Sequence, residues 1–294
     1  MHPGHLDRFL KAAGELRPQL LIVGGDIIPD WKGSIEASIE PHQLWVRNVL
    51  LPRLREFRAA HKEIRVLIDL GNDDIAAARP QMEADDGADL DLLHMQVIEV
   101  SENLAVVGYM AVNPTPFLIK DREKPDCRDH DGLSEGRVAR AGYVTYSGAA
   151  TPYTLDFSAG AIEDDLAELA STMQGPRWGK SSFIFVCHAP PKNTALDLTQ
   201  SGLHVGSLAV RRFIERWSGT RRLILSLHGH IHEAPWKSGQ AWQHVGDVPC
   251  FNVGQTPKML RALFLKTGAV PDSARLVTVT REGKVTVAGQ GVWV

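Results

Sequence analysis

Three imidazoles fall within five residues in the stretch Ser226-Leu227-His228-Gly229-His230-Ile231-His232-Glu233, at the end of an apolar run. His230 and His232 stand at i and i+2 after a glycine. That spacing lets two rings converge on one point while Gly229 lets the backbone turn beneath them. Neutral imidazole is the commonest protein ligand for a divalent transition metal, so the first chemistry this stretch suggests is metal binding. A polar loop with solvent-facing histidines is the alternative.

Other apolar runs end in the same manner. Leu20-Leu21-Ile22-Val23 stops at Gly24-Gly25-Asp26, Ile64-Arg65-Val66-Leu67-Ile68 leads to Gly71-Asn72-Asp73-Asp74, and Phe183-Ile184-Phe185-Val186-Cys187 is followed by His188. In open α/β sheets the functional crevice lies outside the carboxyl ends of the strands. Singly, each residue has a plain structural use: Asp26 as a cap, Asn72 as a left-handed turn residue, His188 as a strand-end polar group. Four strands delivering Asp, Asn and His to one edge make a coherent ligand set. Hard oxygens and borderline imidazoles without thiolate suit Mn²⁺, Fe or Zn. A single carboxylate among neutral ligands can bridge two cations, the arrangement that clamps phosphoryl groups.

The elements that must position these residues read as follows. Residues 5–16 carry Leu6, Phe9, Leu10, Ala13 and Leu16 at helical spacing, and Pro18 ends the helix. A long helical stretch covers about 36–61, with Pro52 breaking or restarting it. Residues 96–100 and 104–108 predict a hairpin, 160–173 and 206–217 predict helices, and 223–227 a strand. The tail alternates in the strand manner at 250–253, 274–280 and 285–288. Residues 113–150 are rich in Pro, Gly, Asp and Arg with little apolar periodicity, and read as a long excursion over the main body.

Composition sets the outer bounds. A chain of 294 residues, 44% hydrophobic and 23% charged, supports a sizeable core, and we read 1–294 as one domain. A net charge of −3 offers no basic field for nucleic acid or an anionic membrane. Cys127, Cys187 and Cys250 are odd in number and far apart, which points away from a disulfide framework and towards a reducing cytoplasm. No apolar run approaches the ~20 residues of a membrane span, and the amino terminus has no signal-peptide core.

Gly25-Asp26, Gly71-Asn72-Asp73-Asp74, His188 and Gly229-His230-Ile231-His232 resemble, in chain order, the motifs of the calcineurin-like metallophosphoesterase superfamily. Those motifs run D-x-H, G-D, G-N-H-D/E, H and G-H-x-H. Residues 183–255 more narrowly resemble the Icc-related predicted phosphoesterases, through His188-Ala189-Pro190-Pro191, His204-Val205-Gly206-Ser207 and Asn252-Val253-Gly254-Gln255. The resemblance implies a four-layer α/β/β/α sandwich with a dinuclear centre of divalent ions, Mn²⁺ first and Fe or Zn as alternatives. Asp26 would bridge them, Asn72, His188 and His230 would hold one, and His232 with His2 the other. Asp73 and Asp74 would serve the chemistry, with Asp74 orienting its neighbours, and His5 and His204 would lie on the substrate side. The implied activity is hydrolysis of a small phosphomonoester or phosphodiester.

Two departures qualify it. Asp73 stands where the family has a leaving-group histidine. The D-x-H motif is cut, because His2 fits its histidine while its Asp, and the strand before it, would precede residue 1. We read this as a start set inside the gene. The competing readings are a scaffold that kept the fold and lost the metals, and a nuclease, which the absence of a basic, aromatic-laced groove disfavours. Trp31, Trp45, Trp178 and Trp236 could stack on a nucleobase or simply pack.

Overall fold

The computed structural model describes residues 4–30, 32–129, 138–289 and 291, so His2 and Trp31 lie outside the described residues. In chain order the elements are α1 (His5–Leu16), β1 (Leu20–Gly24), α2 (Ile35–Trp45), α3 (Leu51–Ala60), β2 (Arg65–Asp69), α4 (Arg79–Glu83), β3 (Asp91–Leu92), β4 (Gln96–Ser101) and β5 (Leu104–Tyr109). There follow β6 (Ala141–Val144), β7 (Thr151–Thr154), α5 (Ile162–Gln174), β8 (Ser182–Cys187), α6 (Leu208–Trp217), β9 (Leu223–Leu227) and α7 (Ala234–Ser238). The chain closes with β10 (Trp242–Val245), β11 (Val248–Phe251), β12 (Leu260–Phe264), β13 (Arg275–Val279) and β14 (Val285–Val287).

The class is mixed α/β. A six-stranded sheet runs β10-β11-β9-β8-β5-β4, with β5, β8, β9 and β11 parallel. A three-stranded parallel sheet runs β1-β2-β3. The period-two alternation of side chains explains why the central strands read as unbroken apolar runs. Leu20 and Ile22 of β1 and Leu67 of β2 join Val106, Ile184, Val186 and Leu225 in one core shared by the two sheets. Their neighbours Leu21, Val66 and Ile68 pack instead with Leu6, Leu10, Leu50 and Leu54 of the helices. On the other sheet, Val107, Phe183 and Phe185 pack on Leu166 and Leu169 of α5 and Val210, Phe213 and Trp217 of α6. A third sheet, β12-β13-β14, covers the outer face of α1 through Leu260, Val277 and Val279.

The long helical stretch restarts at Pro52, as expected of a proline there. Residues Val46–Leu50 form a wider π turn, and Pro52 enters the first turn of α3 behind it. A wider turn accommodates a residue that lacks an N–H and crowds the preceding turn. The 113–150 excursion is less loose than its composition suggests. Lys120 and Glu123 form a fully buried ion pair of 2.8 Å, and Asp121 accepts the backbone N–H groups of Ala76 (2.7 Å) and Thr145 (2.6 Å). Its far end pairs as the β6–β7 hairpin. No helix among the described residues is long and apolar enough to cross a membrane.

Candidate metal centre

The carboxyl ends of β1, β2, β8 and β9 meet, and glycines let them do so. Gly25 has a left-handed φ of 106°, and a Cβ there would lie 2.7 Å from both Gly71 Cα and His188 Nδ1. A Cβ on Gly71 would lie 2.3 Å from Asp26 Oδ1 and 2.8 Å from His188 Cε1. Two bare backbones therefore cross beneath the site. Asp26 and His230 hold φ of 55° and 64°, a region that costs a side-chain-bearing residue about 1 kcal/mol or more and that clusters at functional sites.

His188 is the hinge of the arrangement. Its Nδ1 lies 2.7 Å from Gly24 O, and a carbonyl can only accept, so Nδ1 carries the proton. Its Nε2 then faces Asn72 Oδ1 at 3.0 Å and Asp26 Oδ2 at 3.1 Å. The Asn72 amide is oriented by its Nδ2, which donates to Asp73 Oδ1 at 3.0 Å. Asp26 Oδ1 accepts the Asp73 N–H at 3.1 Å, while Oδ2 is buried without a hydrogen bond of good geometry, although His232 Nε2 also lies 3.4 Å away. A neutral His188 would point a lone pair at two oxygens. The cluster needs a cation at its centre, either a proton on His188 or a metal ion.

Charge shifts follow from that need. Burial alone would raise the Asp26 pKa, but His188 and then His232 hold it well below the usual carboxylate range. Burial opposes charge on His188, yet the Asp26 carboxylate lifts its pKa to about 9. The Asp26 carboxylate, 3.4 Å from its Nε2, raises His232, whose side chain remains 44% exposed. His230 is different: burial, and then the charge of His188 at a ring separation of 5.4 Å, push it down to about 3, so its ring is neutral. Crowding, then the charge of Asp26, raise Asp73 to about 6, although much of the residue meets solvent.

The structure thus brings Asp26, Asn72, His188, His230, His232 and Asp73 together. Asp74 sits behind them rather than among them. Fully buried, it accepts the N–H groups of Ile27 (3.0 Å), Ile28 (2.7 Å) and Gly71 (2.8 Å), bracing the Asp26 loop against the Asn72 loop. These bonds make it a positioning residue, in keeping with the expectation that it orients its neighbours. His5 is buried at the start of α1. His204 lies on the 189–206 loop, its Nδ1 2.7 Å from the buried Asp197. His228 is a brace, its Nδ1 at 2.9 Å from Ala189 O, and His94 Nδ1 accepts the Met110 N–H at 3.0 Å.

Asn252 was missing from the candidate residues. Its Nδ2 reaches Leu196 O, Gly229 O and Ile231 O at 3.0–3.2 Å, fixing the backbone on both sides of His230. It follows the apolar run of β11 as His188 follows β8, and that pattern was the available signal. Of the tryptophans, Trp178 is buried, Trp45 packs on the helix core, and Trp236 is 38% exposed beside Arg261.

Asp26, His188 and His232 do not close within 4.8 Å as a set. Among the described residues the trio that does, Cys127, Asp129 and Glu163, is engaged by other protein groups. Arg212 grips both oxygens of Asp129 (2.9 and 3.0 Å), Glu163 accepts the Arg128 N–H, and burial pushes the Cys127 thiol up to about 12.

No family model matches this chain, and no curated protein does either. One solved structure superimposes over 97% of this chain and 93% of its own, with a TM-score of 0.52 at 12% identity. At that identity the likeness shows the mixed α/β fold alone.

Proposed function

We propose that the chain is a metal-dependent phosphoesterase of the calcineurin-like kind, built as a four-layer α/β/β/α sandwich and working on a small phosphomonoester or phosphodiester in the cytoplasm. One observation carries the reading: Asp26 Oδ2 and Asn72 Oδ1 both lie about 3 Å from His188 Nε2, a convergence that only a proton on that nitrogen or a metal ion can satisfy. A donor set of one carboxylate, one amide oxygen and three imidazoles fits two divalent cations, Mn²⁺ foremost, with Fe or Zn as alternatives. Asn72, His188 and His230 would hold one. His232 would hold the other, with His2 as a further ligand outside the described residues, and Asp26 would serve both. Such ions supply positive charge for a phosphoryl group and lower the pKa of water.

The chain's own contribution is positioning, which is most of what phosphoryl transfer requires of a protein. Gly24 O fixes the His188 tautomer, Asp73 orients the Asn72 amide, and Asp74 holds the two loops in register. The left-handed Asp26 and His230 backbones are held by the fold itself.

Hydrolysis of p-nitrophenyl phosphate and bis-p-nitrophenyl phosphate with Mn²⁺ tests the reading, alongside Asp26→Ala and thermal melts with and without the ion. Hydrolysis and stabilisation that both vanish in Asp26→Ala are expected, and the diester-to-monoester ratio narrows the substrate. If neither ester is cleaved with Mn²⁺, Fe²⁺ or Zn²⁺ and none of them raises the melting temperature, the chain is a scaffold on the same fold.

A further inference from the structure

We propose that His204, held by Asp197, donates the proton to the leaving-group oxygen at this site. The inference rests on the phosphoesterase reading above. Asp197 is fully buried, and its carboxylate is locked by backbone before any side chain reaches it: it accepts the N–H groups of Asn193 (3.0 Å), Thr194 (2.9 Å) and Gly206 (3.0 Å). Onto this fixed anion His204 turns Nδ1, at 2.7 Å. The carboxylate selects the ring orientation, and Nε2 is left on the outer side with no partner among the described residues, on a side chain that keeps 36% exposure. An imidazole whose inner nitrogen is held and whose outer nitrogen is open is built to pass a proton.

The loop that carries the pair is laced to the candidate centre at several points. Asn252 joins Leu196 O, just before Asp197, to Ile231 O, between His230 and His232. Gln200 N donates to Glu233 Oε1 at 3.1 Å, and Asn113 Nδ2, beyond the end of β5, donates to Val205 O at 3.0 Å. Gly206 packs so closely under Pro190 that a Cβ would lie 2.5 Å from its carbonyl oxygen. The loop is therefore tied on both sides of His204 to the carboxyl edge that delivers His188 and His230.

The step balances simply. A water oxygen bonds to phosphorus, and the bond from phosphorus to the leaving oxygen breaks with its electron pair going to that oxygen. The proton on His204 Nε2 passes to it. The proton released by the attacking water returns to His204 through solvent, so ester and water give alcohol and phosphate. Asp197 acts through His204 and is a positioning residue.

Rates for p-nitrophenyl phosphate and phenyl phosphate in the wild-type chain, His204→Gln, His204→Ala and Asp73→Asn give the test, because p-nitrophenolate leaves without help and phenolate does not. General acid catalysis is worth about 10²–10⁴-fold. Both His204 variants should lose about 10²-fold or more on the phenyl ester and only a few-fold on the p-nitrophenyl ester. Mn²⁺ affinity and melting temperature should stay at the wild-type values. Imidazole ¹⁵N spectra of the metal-free protein should show a protonated Nδ1 on His204. Equal losses on both esters, no loss on either, the leaving-group split appearing in Asp73→Asn instead, or an unprotonated Nδ1 would each overturn the proposal while leaving the phosphoesterase reading intact. A wild-type chain silent on both esters would overturn both.

Discussion

Metal and proton should compete for His188, and the competition can be measured. Without metal, the ring bears a proton on Nε2 between Asp26 Oδ2 (3.1 Å) and Asn72 Oδ1 (3.0 Å), with a pKa of about 9. A metal must take the same lone pair, so binding near pH 7.5 expels close to one proton from His188. His232, whose pKa is also raised, adds to the release at lower pH, and His230, at about 3, adds none. Apparent Mn²⁺ affinity should then rise at least tenfold per pH unit up to about pH 9, roughly a hundredfold between pH 6.5 and 8.5, and flatten above. Titration calorimetry in two buffers of different ionisation enthalpy reads the proton count directly. His188→Gln should remove the His188 share of both the release and the slope, leaving only that of His232.

Stability gives the matching sign. A group whose pKa rises on folding contributes stability in full below its unfolded value, near 6.5, and loses it as pH climbs through about 9. The metal-free protein should therefore weaken towards alkaline pH, while Mn²⁺ should stabilise most there, by about 2.7 kcal/mol when present at a hundred times its dissociation constant. Zero proton release with a pH-independent affinity would refute the shared-lone-pair geometry, even if metal bound tightly.

Gly71→Ala should cost about 1–3 kcal/mol in urea unfolding with chelator present, because the new methyl meets the Asp26 backbone N at 2.5 Å and neither loop can retreat; a change under 0.5 kcal/mol would show that the loops are not in contact. Asp69→Asn should cost about 3–5 kcal/mol at pH 7, since it takes the anion from buried Arg122 and leaves half-buried Arg79 with Glu83 alone. Burial alone would raise the Asp69 pKa, but Arg122 and Arg79 lower it, so its contribution is present above the unfolded value near 3.9 and fades as pH falls through the lower folded value. The stability gap between Asp69→Asn and the wild-type chain should accordingly narrow in acid, and a gap constant from pH 7 to pH 2 would contradict that pairing.

The parts of the molecule that were readable in the sequence are those where one residue pattern has one physical use. Strands buried on both faces must be apolar throughout, so β1, β2, β8 and β9 stood out, and the polar residue ending each run stood out with them. The same rule, followed further, reaches Asn113 beyond β5 and Asn252 after β11, both of which tie the 189–206 loop to the sheet edge. The excursion was opaque for the converse reason. Its interior is a polar network, with Lys120 on Glu123, Asp121 on Ala76 and Thr145, and Asp126 accepting the N–H of Leu208 at the start of α6. Polar partners carry no period, because each bond depends on where a loop happens to pass.

The division has a functional consequence. The proposed metal ligands sit on strand ends whose positions the cores determine, and the groups that would choose among substrates sit on loops fixed by buried hydrogen bonds. Asp121 joins the two: its carboxylate holds Ala76, two residues past Asp74, to Thr145 in the turn between β6 and β7. Substitutions in that network should therefore change which ester is turned over before they change whether metal is bound, whereas substitutions at Gly25, Gly71 or Asp74 should do the reverse.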